Sequence, residues 1–152
     1  MLRTAAALED CEEHLRESGA FATAIESYLT QYVLIVFCAE IQSEIYEVMR
    51  RRAAMTSDAV LGNYAVQSSQ RVLRSVKTNE LSGFAKLFGQ EVKERFQNAL
   101  DDRDVSLYNS AVVNRHDIAH KKGAEITFRE VREAVEAATR ILCSFEKALD
   151  SE

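Results

Sequence analysis

Not one of the 152 residues is proline. Average usage near 5% would place about seven in a chain of this length, and proline is the residue that most reliably ends or kinks a helix, because it lacks the amide donor and clashes with the preceding turn. With only five glycines as well, the chain has few places where a helix must stop. Its apolar residues recur at three- and four-residue steps, the period of a helix with one buried face. An all-α fold is expected: a helical bundle with a long central helix, several short helices and a long C-terminal helix. A chain near this length buries roughly 70% of the surface it exposes when unfolded, and no linker, repeat or low-complexity segment divides it, so residues 1–152 are expected to form one domain.

The pattern places a first helix over 2–18, with Ala5, Leu8, Cys11 and Leu15 on one face and Gly19 at its end. The longest helix is expected from Phe21 to about Arg52, carrying Phe21, Ile25, Tyr28, Tyr32, Val36 and Ala39 on one side. Its middle is apolar nearly all round, which implies burial on more than one face. Glu40 is the only charged residue between Val33 and Ile41. A buried carboxylate wants a cation, and Arg115 is the expected partner. Arg50-Arg51-Arg52 complements the negative end of the helix dipole. A third helix is expected to reach about Val76, with Arg71, Arg74 and Lys77 along an exposed end. Short helices follow over about 78–88 and 90–100. Asp101, Asp102 and Asp104 gather at the start of a helix expected over 103–121, where carboxylates cap free amides. Thr127 and Glu130 form a capping box that opens the last helix, whose apolar positions run unbroken from Phe128 to Leu149.

Lys and Arg total 19 against 24 Asp and Glu, a net charge of −5, which argues against broad electrostatic binding to nucleic acid and leaves room only for a local basic patch. Cys11, Cys38 and Cys143 are odd in number, far apart and set in apolar-periodic segments, so buried thiols in a reducing compartment are expected. The longest apolar run, Val33 to Ala39, is far short of the roughly 20 residues of a membrane span. A cytoplasmic protein without a membrane partner is expected.

Chemistry concentrates in Asn114-Arg115-His116-Asp117-Ile118-Ala119-His120, which holds an arginine and two of the three histidines. On a helical projection Val105, Tyr108, Ala111, Val112, Ile118 and Ala119 make an apolar stripe, and Arg115 falls within it. A guanidinium on such a stripe must be paired, or the stripe must open onto a partner surface or an anionic ligand. His116 and His120, four apart, share the flank beside Asn109.

Arg-polar-x-x-x-His, from Arg115 through His116 to His120, resembles the signature of the HEPN family, small all-helical domains of which many members are metal-independent ribonucleases. The long second helix with an embedded acidic residue and the basic, glycine-bearing exit Lys121-Lys122-Gly123 are similar too. The resemblance implies a HEPN-like bundle that dimerises so that two motif helices face one another, with no cofactor and no metal. It implies Arg115, His120 and His116 as catalytic residues, with Glu40, Asn109 and Asn114 in support and Lys121 and Lys122 available to RNA phosphates. Such a protein would be a toxin or phage-defence effector, with an antitoxin or defence-system protein as a further partner. Lys122 stands where a subgroup paired with nucleotidyltransferase antitoxins carries a tyrosine, which argues against that subgroup.

Three other readings compete. Histidines at i and i+4 can chelate zinc, but Asp117 stands where the metalloprotease pattern needs a longer glutamate and no third ligand is evident. His116-Asp117 also resembles the dyad of HD-type metal-dependent phosphohydrolases, which need a histidine well upstream; only His14 is there. The third is a non-catalytic helical module that binds a partner or a nucleotide. Under the ribonuclease reading, His120 takes the proton of a ribose 2′-hydroxyl, Arg115 neutralises charge on the phosphoryl oxygens, and a second imidazole protonates the leaving oxygen. An unperturbed imidazole pKa near 6.5 suits that work.

Overall fold

The computed structural model describes residues 1–119 and 126–150, with side chains for all of these except 116–119. Among the described residues there are seven α-helices and no strand. α1 spans Leu2–Ser18 and α2 spans Ala24–Ala54. α3 is Ala59–Val72, α4 is Thr78–Ala85 and α5 is Gln90–Asn98, with a 3-10 turn at Lys86–Phe88. α6 covers Asp102–Ala119 and α7 covers Phe128–Leu149.

Local signals account for most of these limits. Gly19 takes φ 63°, a left-handed conformation that glycine adopts without strain, and its amide bonds the Leu15 carbonyl to close α1. Asp58 Oδ1 accepts from the Val60 and Leu61 amides at the start of α3. Asp101 Oδ1 does the same for Arg103 and Asp104 at the start of α6. Both halves of the Thr127–Glu130 capping box are formed on α7.

At 31 residues, α2 is about 46 Å long at 1.5 Å per residue. It touches α1, α3, α6 and α7, and α6 packs most extensively on α7. The core is made where these helices meet: Phe37, Ile41 and Ile45 from α2, Tyr108 from α6 and Phe145 from α7 are fully buried. Each such side chain contributes about 1.5–3 kcal/mol. Phe37 meets Tyr108 edge-on at 6.1 Å, and Phe145 lies between Phe84 and Phe96. The apolar seam of α7 is therefore spent within the chain.

Three expectations are corrected here. α2 starts at Ala24 and leaves Phe21 before it; the face that carries Ile25, Tyr28, Tyr32 and Ala39 is exposed, and the core takes the opposite face, Val33, Leu34, Phe37, Ile41 and Ile45. An all-round apolar segment has no sequence signal for which face wins; the packing of α1, α6 and α7 decides it. α3 stops at Val72 rather than Val76, because Leu73 turns extended and both Leu73 and Val76 go into the core. Cys143 is exposed, whereas Cys11 and Cys38 are buried.

By length and composition α2 is also the one described helix apolar enough to cross a membrane. Its apolar residues divide between the core face and the bare stripe. The arginine triplet at its end is neutralised rather than bare: Arg50 bonds Glu47 at 2.8 Å, Arg51 bonds Glu146 at 2.6 Å and Arg52 bonds Asp150 at 3.4 Å.

Candidate functional site

Helix α6 buries Tyr108, Ala111 and Val112 and half-buries Val105, as the sequence stripe requires. One turn further on, Arg115 is exposed and lines a cavity of about 210 Å³. Ile35, Cys38 and Gln42 of α2 form another wall, and Arg74 and Ser75 close it from the segment between α3 and α4. Among the described residues, none that lines this cavity is acidic. The guanidinium on the apolar stripe is thus tolerated because the stripe opens, not because it is paired.

Pairing with Glu40 does not occur. The Glu40 carboxylate, 3% exposed, accepts from the Arg3 amide at 3.0 Å, the Thr4 amide at 2.8 Å and the Thr4 hydroxyl at 2.5 Å. It caps the open amides at the start of α1 from another helix, with the Arg3 guanidinium 4.0 Å away. Burial raises its pKa, and the bonds from Thr4 and Arg3 outweigh that, leaving it below the usual carboxylate range. The expected Glu40–Arg115 pair is corrected for a geometric reason: Glu40 and the α1 terminus already satisfy each other.

Asn109 is likewise occupied. Its Oδ1 accepts from the Thr78 amide at 3.1 Å and its Nδ2 donates to the Thr78 hydroxyl at 2.8 Å, so it caps α4 across the fold. Tyr108 donates its hydroxyl to the Val76 carbonyl. Consecutive residues of α6 thereby hold both sides of Lys77. Asn109→Ala is expected to cost about 0.5–2 kcal/mol, the usual loss for a cap, and to speed hydrogen exchange at the Thr78 amide before that of the core. Asn114 donates to the Ser110 carbonyl at 3.0 Å. Asp104 is bound by Arg140 through both oxygens at 2.6 and 2.7 Å, and this bond holds its carboxyl below the usual range.

Cys38 supplies the one thiol on the cavity wall. Burial pushes it up to about 11 despite the positive charge of Arg115 nearby, so it stays a neutral thiol and not a nucleophile.

The RiboL-PSP-HEPN family model matches residues 4–151, nearly the whole chain. The chain belongs to the RiboL-PSP-HEPN family. No curated protein and no solved structure gives a match.

The structure describes part of the Arg115-to-His120 segment that the sequence singles out. Arg115 lines the cavity, and His116 belongs to α6 although its side chain is outside the described residues. His120, Lys121 and Lys122 lie outside the described residues. His14, on α1, is exposed. Sequence reasoning missed Arg74, Ser75 and Gln42 as members of this site. Leu73 and Val76, three apart, fit the face of a continuing helix, so spacing alone did not show that the chain leaves α3 and carries Arg74 to the cavity.

Proposed function

We propose that this HEPN domain is a metal-independent endoribonuclease, acting in the cytoplasm as a toxin or defence effector. HEPN domains are often ribonucleases and commonly dimerise and bind RNA. The observation that carries the reading is the state of Arg115, exposed on a cavity with no carboxylate in its wall and with no ion-pair partner among the described residues. A guanidinium held for structure is normally satisfied by an acid, whereas one that must meet phosphate is left bare. His120 is the general base toward the ribose 2′-hydroxyl, Arg115 stabilises the charge on the phosphoryl oxygens, and His116 or the second protomer's imidazole protonates the 5′-oxygen. Products then carry 2′,3′-cyclic phosphate and 5′-hydroxyl ends. Incubation with total RNA, with and without EDTA and beside a His120→Ala control, tests this. Protein that binds RNA and leaves it whole would instead support a non-catalytic binding module.

The site is proposed to be composite, built by two copies of the chain. Ile25, Tyr28, Tyr32 and Ile35 form an exposed stripe on α2 at helical spacing, with exposed Phe21 just before the helix, and Ile35 at its end also lines the Arg115 cavity. Exposed apolar residues in a continuous row mark an interaction surface, and a two-fold contact here brings two cavities together. Light scattering is expected to give a dimer, and Tyr32→Glu a monomer. Only monomer at high micromolar concentration would sink the composite site. An antitoxin or defence-system protein is proposed as a further partner.

A further inference from the structure

Nine arginines each lie within 4.0 Å of a carboxylate, and Arg95 bonds the Ala148 carbonyl. Among the described residues Arg71, Arg74 and Arg115 have no such partner, and two of these three, Arg74 and Arg115, line one cavity. In a chain of net charge −5, two unpaired guanidinia at a wall whose described residues include no acid are a local concentration of positive charge. Like charges brought together repel unless an anion sits between them.

Arg74 is not placed there by chance fraying of a loop. Leu73 is 3% exposed and Val76 is 7% exposed, so the residues on either side of Arg74-Ser75 are anchored in the core. Tyr108 and Asn109 of α6 hold the same segment through Val76 and Thr78. Arg115 follows on the same helix, so α6 sets the position of both guanidinia, one directly and one through the segment it grips. Such anchoring reduces the freedom that binding would otherwise remove.

We infer that Arg74 is a second phosphate-binding residue, which with Arg115 clamps one phosphodiester of a single-stranded RNA between two guanidinia. This rests on the reading of the site as an RNA site. Two non-bridging oxygens match two guanidinium forks. The cavity is smaller than the roughly 300–1,000 Å³ that encloses a whole drug-sized ligand, which suits one backbone group of a chain that continues outside it. Arg74 positions the strand and Arg115 acts on the reacting phosphate.

The test measures binding without cleavage, using a fluorescent 2′-O-methyl oligoribonucleotide, which has no 2′-hydroxyl to attack. Anisotropy titrations at several salt concentrations give the slope of log affinity against log salt, whose magnitude is about 0.7 for each phosphate that the protein neutralises on a single strand. Arg74→Ala and Arg115→Ala should each lower the slope by part of that amount and the double variant by all of it, because the two guanidinia share one phosphate. Arg74→Lys should keep the slope while weakening affinity, because a point charge replaces a fork. Arg71→Ala removes the same charge nearby but off the cavity wall, and should leave the slope unchanged. Circular dichroism checks that each variant is folded. An Arg74→Ala slope equal to wild type, no binding by wild type at low salt, or full displacement by an equal concentration of adenosine monophosphate would each overturn the clamp. If cleavage needs Arg115 and His120 while Arg74→Ala binds as wild type does, the clamp fails and the ribonuclease reading stands; bound but uncut RNA with both slopes lowered reverses that.

Discussion

His120→Ala is expected to slow RNA cleavage by about 10²–10⁴-fold, the range that a positioned general base contributes. Arg115→Ala should lose about 10²–10³-fold, as when a donor to a developing oxyanion is removed. The losses should not multiply in the double variant, because both groups serve one transition state. Arg115 is exposed and has no ion-pair partner among the described residues, so its removal should leave the thermal unfolding curve in place. EDTA should change nothing, DNA should survive for want of the 2′-hydroxyl, and the RNA ends should be 2′,3′-cyclic phosphate and 5′-hydroxyl. Cleavage that stops in EDTA, or persists in both variants, contradicts the mechanism.

The largest stability effect is expected away from that chemistry, at Glu40. Its carboxylate accepts three hydrogen bonds from Arg3 and Thr4 at the start of α1. Glu40→Ala leaves two backbone amides and a buried hydroxyl without an acceptor. Bonds to a charged group contribute about 1.5–3 kcal/mol and an unsatisfied buried donor costs about 1–3 kcal/mol, so a loss on the order of 3 kcal/mol is expected. At about 2–4 °C per kcal/mol for a chain of this size, Tm should drop by roughly 6–12 °C. Because the folded pKa lies below the ordinary glutamate value, the contribution is complete above that value and is lost as pH falls through the folded pKa. Wild type should therefore lose stability on acidification more steeply than Glu40→Ala. Parallel acid curves for the two would remove the argument. Thr4→Val, which deletes the hydroxyl and keeps the amide, should show part of the same loss.

These two residues also divide what was legible in the chain from what was not. Helix positions followed from local rules acting within a few residues: no proline to interrupt them, Gly19 to end α1, Asp58 and Asp101 to open α3 and α6, Thr127 with Glu130 to open α7. The Arg115-to-His120 motif was legible for the same reason, since all its members lie within two turns. Glu40 was legible as a buried acid but not as the cap of α1, because its partners lie 36 and 37 residues away and spacing carries no information about them. Asn109 was likewise picked out beside the motif, yet its bond is to Thr78, 31 residues away. The face of α2 that enters the core could not be read from a segment apolar on both sides. Periodicity finds a buried face only when the other face is polar; where both are apolar, the neighbouring helices choose. That choice left Ile35 and its stripe exposed, opened the cavity over Cys38, and brought Arg74 to the wall that Arg115 shares. Local sequence determined the helices and the motif, and long-range packing decided which arginines were neutralised and which two came to line one cavity.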